Sequence, residues 1–283
     1  MPEQKLLTTY GLKYNPFLPA IPSEDLWLRP GAETFFFRVE TLVLDGGFAL
    51  IGGDPGLGKS KLLHLLAGRM ERLSDVVVGV MEHPQSTLSD FYRELGQLFG
   101  VDLKPANRYG GFRALRARWR DHIKSTLFRP LLLVDESQEM ATACQNELRL
   151  LGSAHFDSEC LLTTVLSGDT RLADRFRSRD LLPLGSRIRT RMVLTPLSHE
   201  ELFDFLEHIL EHAGAPHLMT EGLRHTLVEH ALGNPRVLCN MAEDLLYAAA
   251  QRDQEVLDEQ LFLEVVAGER PLAKRQPSKR KKR

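Results

Sequence analysis

The sequence predicts an α/β fold in which a parallel sheet flanked by helices is followed by a small all-α domain. Short apolar runs alternate with stretches of helical periodicity up to about residue 195, an order typical of parallel sheets. Beyond Pro196 the patterns are helical only. The first apolar run also leads directly into a glycine-rich segment and a helix. A chain of 283 residues is long enough for one large domain and one smaller one.

The α/β part contains five apolar runs of strand length. Helical periodicity at 33–44 precedes the first run, and two helical stretches, at 88–100 and 112–125, separate the second from the third. The runs that we expect to form strands lie within 48–52, 76–81, 130–137, 161–167 and 191–195.

The part after Pro196 carries helix boundary signals. Ser198 and Glu201 have the spacing of a capping box, and Gly214 is expected to end the helix that they begin. A second helix is predicted from about residue 220 to 232.

The segment GNPRVL predicts the start of a third helix. Gly233 can close the preceding helix, Asn234 can cap the next one, and Pro235 suits its first turn. Arg236 then lies in that first turn, where the helix dipole disfavours a cation. A functional anion near Arg236 explains this choice better than helix stability does.

The glycine-rich segment GGDPGLGKS at 52–60 contains the pattern G-x-x-x-x-G-K-[ST]. Glycines let the backbone turn sharply and direct its N–H groups at a polyphosphate, beside the positive end of the following helix. Lys59 would reach the β and γ phosphates, and Ser60 would ligate Mg²⁺. The alternative is a turn without a ligand, but the flanking strand and helix favour ATP. The residues expected to contact the nucleotide here are Gly53, Asp54, Pro55, Gly56, Leu57, Gly58, Lys59, Ser60 and Lys61.

The segment PLLLVDES at 130–137 is an apolar run closed by two acids, typical of a strand buried on both faces. The carboxyl edge of a parallel sheet is where ligands bind. Asp135 would hold Mg²⁺, and Glu136 would take a proton from the attacking water. An acidic helix N-terminus is the alternative, but it leaves Lys59 and Ser60 unexplained.

Composition argues against several classes of protein. No stretch approaches the roughly 20 apolar residues of a membrane span, and the N-terminus lacks a secretory signal. Cys144, Cys160 and Cys239 are widely spaced, which favours reduced thiols over zinc ligands or disulfides. We therefore expect a cytoplasmic protein without a membrane partner.

The charge of −2 is unevenly distributed. Residues 267–283 carry eight basic side chains against one acid, a net of +7, so the remainder carries −9. The segment is expected to form a disordered basic tail that contacts nucleic acid phosphates, although such tails can be merely solubilising. The candidates at its end are Lys279, Arg280, Lys281, Lys282 and Arg283.

A second basic surface is predicted on the helix at 112–125. Its apolar stripe consists of Phe112, Leu115, Trp119 and Ile123, and Trp119 is expected in the core rather than as a platform for bases. A flanking basic face would contact duplex DNA phosphates without reading sequence, unless it is only a solvated face. Its members are Arg113, Arg116, Arg120 and Lys124.

Taken together, GDPGLGKS, LLLVDE, SRIRTRMVLTPLS and GNPR resemble Walker A, Walker B, the arginine-finger region and sensor 2 of the AAA+ ATPases, in order and spacing. With YGLKYNPF near the N-terminus, the chain resembles the branch that contains the secretion ATPase ExeA and the transposition helpers of TnsC, TniB and IstB type. The resemblance runs from Tyr10 to about Val266. It implies a P-loop AAA+ sheet followed by a helical lid.

The resemblance also implies roles for individual residues. Arg187 matches the arginine finger that reaches a neighbouring subunit's ATP, with Arg189 and Arg191 as nearby candidates. Arg236 matches sensor 2 in the lid. The expected adenine contacts are Asn15, Pro16 and Phe17. The implied domains are a nucleotide-binding domain at 1–195 that includes an N-terminal adenine-side linker, a lid at 196–267 and a basic tail at 268–283.

Two positions depart from the family pattern. The polar residue of sensor 1 should end the fourth strand, and the sequence leaves Ser167, Asp169 and Thr170 open. Relatives often place Asn before the proline after the second strand, where this chain has His83 before Pro84. A polar switch restraining Glu136 is therefore in doubt.

ATPases of the ExeA type have a membrane anchor and an extracytoplasmic part, whereas the transposition helpers assemble with ATP around DNA. The sequence fits the helpers better, which implies a homo-oligomer on double-stranded DNA that recruits or activates a DDE transposase, possibly with a target-selection protein. The alternative is a cytosolic ATPase that assembles protein machinery without a DNA role. A P-loop kinase is a distant third, because the helical lid and GNPR argue against it.

Overall fold

A parallel sheet of apolar strands forms the centre of the α/β part. The computed structural model describes residues 2–82, 84, 87–102, 107–127, 129–156 and 158–269. Within this part of the chain the strands are β1 (Gly47–Gly53), β2 (Val76–Met81), β3 (Arg129–Val134), β4 (Ser153–Ala154), β5 (Glu159–Cys160), β6 (Thr163–Gly168) and β7 (Ile188–Leu194). The main sheet has the order β2-β3-β6-β1-β7 with parallel pairing, and β4 pairs with β5 as a short antiparallel hairpin.

Helices follow most of the strands. The described helices are α1 (Pro2–Tyr10), α2 (Ala32–Asp45), α3 (Lys59–Glu71), α4 (Leu88–Leu98), α5 (Arg108–Asp121), α6 (Thr142–Gly152), α7 (Thr170–Arg175), α8 (Leu182–Gly185), α9 (His199–His212), α10 (Glu221–Ala231), α11 (Pro235–Gln251) and α12 (Glu259–Glu269). A π-helical turn, His122–Thr126, extends α5, and a 3₁₀ turn, Ser137–Glu139, follows β3.

Both faces of the sheet are covered, which explains the continuous apolar runs in its strands. Leu131 and Leu133 of β3 pack into a core with α2 and α3, whereas Leu132 and Val134 pack into a second core with α4, α5 and α6. Strands buried on both faces need apolar side chains at every position. The predicted fold class, a parallel sheet flanked by helices and followed by a helical region, is confirmed.

Strand boundaries differ from the predictions where tertiary pairing decides them. β6 begins at Thr163, later than expected, because the N–H of Leu161 donates to the Gly152 carbonyl outside the sheet, at 2.7 Å. β7 begins at Ile188, earlier than expected, because it already pairs there with Phe48 of β1. Its alternating arginines concealed the strand in the sequence.

A buried carboxylate joins the helices on one face. Glu147 of α6 accepts a hydrogen bond from the Tyr92 hydroxyl of α4 at 2.5 Å and two from Arg108 at the start of α5, one of them at 3.0 Å. Burial and the nearby Glu147 raise the pKa of Tyr92, so its hydroxyl keeps its proton. The ion pair gives the buried charge the partners that it requires.

The chain divides into two units. One contains residues 22–196, with the main sheet and α2 to α8. The other joins the described residues up to Ile21 to those from Leu197 onward, including α1 and α9 to α12. The N-terminal segment, which we predicted as part of the nucleotide-binding domain, is thus grouped with the helical unit, and the N–H of Lys13 donates to the Ala213 carbonyl at 2.9 Å.

Helix α9 begins and ends at the predicted residues. Ser198 accepts a hydrogen bond from the N–H of Glu201 at 3.2 Å, and the Glu201 carboxylate accepts one from the N–H of Ser198 at 2.8 Å. This pair is the expected capping box of α9. Gly214 follows α9 with a φ of +88°, in the left-handed region that helix ends favour.

Candidate active site

The loop between β1 and α3 requires glycine for steric reasons. A Cβ atom at Gly53 would lie 2.6 Å from the carbonyl oxygen of Leu194 on the neighbouring β7. Gly58, which precedes the first residue of α3, has a φ of +91°, a conformation that other residues rarely adopt. The loop therefore turns tightly into the N-terminus of α3, where helical N–H groups are available to an anion.

Lys59 is enclosed by this loop. Its side chain is 7% exposed, and Nζ donates to the carbonyl oxygens of Gly53 at 2.8 Å and Asp54 at 3.0 Å. Both partners are neutral, and none of the described carboxylates forms an ion pair with the ammonium group inside the loop. A polyphosphate bound to the loop would supply the missing negative charge.

Arg29 also contacts this loop, although no pattern in the sequence indicated it. Its guanidinium donates to the carbonyl oxygen of Leu57 at 3.4 Å and to that of Thr195, just after β7, at 3.1 Å. The partners are 28 and 166 positions away in sequence, so local patterns could not reveal them. Arg29 thereby ties the loop to the end of the edge strand.

The two predicted acids follow β3 at the carboxyl edge of the sheet. Oδ1 of Asp135 accepts hydrogen bonds from the Ser167 hydroxyl and from the backbone N–H of Glu136, both at 2.9 Å. Ser167 lies in β6 beside β3, because Val134 pairs with Leu166. Register alone thus places the serine next to the aspartate.

Of the three residues left open for sensor 1, Ser167 is the one that contacts Asp135. The side chain of Asp169 instead caps α7, accepting hydrogen bonds from the N–H of Arg171 at 2.9 Å and from its Nε at 2.7 Å. Thr170 is the first residue of α7. The structure therefore favours Ser167 for this position.

Glu136 also contacts Gln138, a residue that no local pattern in the sequence indicated. Its Oε2 accepts a hydrogen bond from Nε2 of Gln138, and Oε1 of Gln138 accepts one from the backbone N–H of Asp169 at 3.2 Å. Gln138 is 8% exposed. One buried amide thus joins the acid after β3 to the residue that follows β6.

A cavity of about 1030 Å³ opens beside these residues, and Ser60, Asp135 and Glu136 all line it. Its size suits a nucleotide-sized ligand. A hydroxyl and a carboxylate facing one space are hard oxygen donors of the kind that Mg²⁺ uses, together with phosphate oxygens and water. The residues present therefore fit Mg²⁺ held by Ser60 and Asp135.

The predicted arginine finger lies at the opposite edge of the sheet. Arg187 precedes β7, and its Nη1 donates to the Pro183 carbonyl at 2.6 Å. In the pairing of β7 with β1, Ile188 is next to Phe48 and Leu194 is next to Gly53. Six strand residues span roughly 20 Å, which is longer than an arginine side chain.

The two nearby arginines make different contacts. Arg189 lies 3.9 Å from the carboxylate of Asp45, and Arg191 donates to the Gly185 carbonyl at 3.1 Å.

The remaining nucleotide candidates lie in the helical unit. The Asn234 side chain accepts hydrogen bonds from the N–H groups of Arg236 at 3.0 Å and Val237 at 3.4 Å, so α11 starts where predicted and Arg236 is exposed in its first turn. Asn15 is 4% exposed and accepts from the N–H of Phe17 at 3.0 Å. Its Nδ2 is a buried donor without a hydrogen-bond partner among the described residues. Pro16 and Phe17 are buried beside it.

The apolar stripe of α5 is packed as predicted. Leu115 and Trp119 are fully buried, while Phe112 and Ile123 are partly buried against the same core. The Trp119 ring meets that of Phe99 edge-on, with centroids 5.3 Å apart, so Trp119 is a core residue.

The basic face of α5 needs one correction. Arg116 is partly buried, and its guanidinium donates to the carbonyls of Leu150, at 2.9 Å, Leu151 and Ser153 at the end of α6. Burial and the neighbouring Arg120 lower the pKa of Arg116. Because its donors satisfy a helix C-terminus, Arg116 is a structural residue rather than part of a phosphate-binding face.

The other members of the face remain accessible. Arg113 is exposed over the ring of Tyr109, 5.8 Å from its centroid, and Lys124 is exposed in the π-helical turn. Arg120 is half-buried. The basic residues 279–283 and His83 lie outside the described residues. Within the part that is described, every helix is too short or too polar to cross a lipid bilayer.

Comparison with known proteins finds a matching family model and a related secretion protein. Residues 43–176 match the family model described as "AAA domain". The chain is 29% identical over 211 residues to General secretion pathway protein A of Aeromonas hydrophila, an alignment that covers 73% of this chain but 38% of that protein.

Solved structures share the fold at low sequence identity. The ORC2 protein of Aeropyrum pernix has a TM-score of 0.69 at 18% identity, covering 90% of this chain and 71% of its own. The Drosophila ORC bound to DNA gives 0.69 at 14% identity, covering 93% and 65%. The RuvB Holliday junction branch migration motor of Thermotoga maritima gives 0.56 at 16%, covering 89% and 73%. The chain thus shares the fold of these proteins.

Proposed function

We propose that this AAA+ chain is a magnesium-dependent ATPase that works as a homo-oligomer. The observation that carries the proposal is that Ser60, Asp135 and Glu136 line one cavity next to the loop that encloses Lys59. These side chains have the chemistry that phosphoryl transfer from ATP to water requires: a cation for phosphates, oxygen ligands for Mg²⁺ and a base.

Each residue has a defined task in the proposed reaction. The loop and Lys59 bind the phosphates, while Ser60 and Asp135 would hold Mg²⁺, which would supply positive charge to the phosphates. Glu136 accepts a proton from water as the water oxygen bonds to the γ phosphorus and the bond to ADP breaks. Ser167 keeps Asp135 oriented through its hydrogen bond.

Arg187 acts in this proposal on the ATP of a neighbouring subunit. Within one chain Arg187 and the loop around Lys59 lie at opposite ends of β1 and β7. A guanidinium supplied by a neighbour stabilises the charge that spreads over the transferring phosphoryl oxygens. Hydrolysis then depends on assembly.

The family resemblance gives roles to two further sets of residues. Arg236 would sense the γ phosphate from the exposed first turn of α11. Asn15, Pro16 and Phe17 would contact the adenine, and the buried Nδ2 of Asn15 is a donor that such a base could satisfy.

For the work that ATP drives, we propose DNA-bound regulation of transposition, with a transposase and possibly a target-selection protein as partners. The accessible cations Arg113, Arg120 and Lys124 supply a phosphate-binding face. A solved structure with this fold is described as bound to DNA.

A second candidate follows from the secretion relative. The similarity to General secretion pathway protein A covers most of this chain, which favours an ATPase that assembles protein machinery. Such a protein would share the nucleotide site but have no nucleotide-dependent affinity for DNA.

ATP hydrolysis is tested by phosphate release from the purified full chain with and without Mg²⁺, before and after Lys59→Ala. We expect Mg²⁺-dependent release that the substitution abolishes, since Lys59 is the ammonium group inside the loop. Release that persists in Lys59→Ala would rule the site out.

DNA binding is tested with duplex DNA and a non-hydrolysable ATP analogue over a salt series. We expect affinity to fall with salt and to fall further in Arg113→Ala/Arg120→Ala, because phosphate contacts release counterions. Arg177→Ala, on an exposed arginine just after α7, is the matched control. An affinity for duplex DNA that does not depend on nucleotide or on salt concentration would favour the secretion-like alternative.

A further inference from the structure

The short turn after β3 contains a buried amide whose two ends both have partners. Gln138 lies in the 3₁₀ turn Ser137–Glu139, and its Nε2 donates to the carboxylate of Glu136. Its Oε1 accepts from the backbone N–H of Asp169, at 3.2 Å. A carboxylate needs a donor and an N–H needs an acceptor, so only this orientation of the amide satisfies both.

The surroundings hold this amide in place. The side chain of Arg175 on α7 donates to the carbonyl oxygens of Gln138 and Met140, the latter at 2.9 Å. At the end of β6, a Cβ atom on Gly168 would lie 2.6 Å from Oε1 of Gln138. The absence of a side chain at Gly168 therefore leaves the space that the amide occupies.

Glu136 itself lacks comparable support. Its residue is exposed, its φ is +46°, and it faces the cavity that Ser60 and Asp135 also line. A flexible carboxylate on a surface has many rotamers, whereas a general base must be within hydrogen-bond reach of its water. A donor that is itself buried can select one of these rotamers.

We propose that Gln138 is the positioning residue of the ATPase reaction, which holds the Glu136 carboxylate in its working orientation and links it to the start of α7. This inference rests on the proposed ATPase function. Gln138 is not one of the described residues that line the cavity, and in this proposal it acts through Glu136 alone. Its loss therefore lowers kcat and leaves nucleotide binding in place.

Two substitutions separate this role from a structural one. Gln138→Leu removes both hydrogen bonds. Gln138→Glu keeps the shape and the acceptor for the N–H of Asp169, but it replaces the donor to Glu136 with a second carboxylate. Gln145→Leu is the matched control. Gln145 is a fully buried glutamine that donates at 2.8 Å to the carbonyl of Ser137, which lies in the same turn as Gln138.

Steady-state phosphate release by the full chain, with thermal unfolding of each variant, tests the proposal. Both Gln138 variants should lose about 10- to 100-fold in kcat, as is usual when an orienting partner is removed, with KM for ATP changed less than about twofold. Gln145→Leu should lower the unfolding temperature and keep kcat.

Three results are contrary. A Gln138→Glu protein with the kcat of the wild type would show that the donor to Glu136 is not needed, and would overturn the inference. If the Gln138 variants raise KM instead of lowering kcat, Gln138 would have only a structural role. The same would hold if Gln145→Leu lowered kcat as much as they do. A wild-type chain that neither binds nor hydrolyses ATP would overturn the proposed function, and this inference with it.

Discussion

Glu136 is placed by its backbone as well as by its hydrogen bond. A residue other than glycine at a φ of +46° costs about 1–3 kcal/mol, which the surrounding structure must offset. Here the N–H of Glu136 donates to Asp135, and the next three residues form a turn that α7 fixes through Arg175. In this conformation Glu136 lines the cavity together with Ser60 and Asp135.

At this residue we expect Glu136→Gln to retain ATP binding and to lose at least about 100-fold in turnover, because the amide cannot accept the proton of the attacking water. A fluorescent ATP analogue measures binding, and phosphate release measures turnover. Glu139→Gln, a neighbouring acid paired with Arg171, serves as the control and should hydrolyse ATP normally. Turnover that survives in Glu136→Gln would assign the base elsewhere.

Ser167→Ala should raise the Mg²⁺ concentration needed for half-maximal ATPase activity by about 10-fold, because Asp135 loses the hydroxyl that orients it. Titration of Mg²⁺ at saturating ATP measures the shift. Ser186→Ala, on an exposed serine whose hydroxyl bonds the Pro183 carbonyl, is the control. An unchanged Mg²⁺ requirement would contradict the role given to Ser167.

The site residues that could be predicted are those that belong to a short motif of neighbouring positions in the sequence. Gly53 ends β1, Lys59 begins the next helix, and Asp135 and Glu136 directly follow β3, so local patterns locate these residues. The choice of Ser167 needed the register of β6 against β3, which the sequence does not contain. Arg29 and Gln138 act through partners that only the folded chain brings near.

Helix α5 shows what periodicity can and cannot establish at the scale of an element. The spacing of Leu115 and Trp119 correctly predicted the buried side of the helix. It also placed Arg116 beside Arg113 and Arg120, but it did not reveal the end of α6 opposite Arg116. Short elements such as α7 and α8 are below the length at which periodicity is detectable.

Within this element we expect Arg116→Ala to lower the free energy of unfolding by about 1–3 kcal/mol, since carbonyls at the end of α6 lose a charged donor. Arg113→Ala should leave stability unchanged, because its side chain is exposed. Denaturant unfolding of both variants measures the difference. Equal stability of the two proteins would return Arg116 to the exposed basic face.

At the scale of the whole molecule, the proposed action of Arg187 on a neighbour's ATP would make hydrolysis depend on contact between two chains. Arg187→Ala should reduce hydrolysis about 10³-fold or more although each chain still binds ATP, because a trans arginine contributes that much in related reactions. Mixed with Lys59→Ala chains, which keep Arg187, it should recover part of the activity. Phosphate release across mixing ratios measures the recovery.

The mixing experiment can also contradict the proposed role of Arg187. If subunits exchange, as shown by a fluorescence transfer signal between labelled chains, and no activity returns, Arg187 does not act across an interface. Arg177→Ala, on the exposed arginine just after α7, is the control.

Arg187 and the Lys59 loop lie at opposite ends of the same pair of strands. Each protomer would therefore offer an arginine to one neighbour and a phosphate-binding loop to the other. In any open row of such protomers the terminal chain on one side has a phosphate cradle that no neighbour completes, and the chain at the other end has an arginine with nothing to act on. A dimer would then run at half capacity, long rows would approach one reaction per chain, and a closed ring alone would have no idle member.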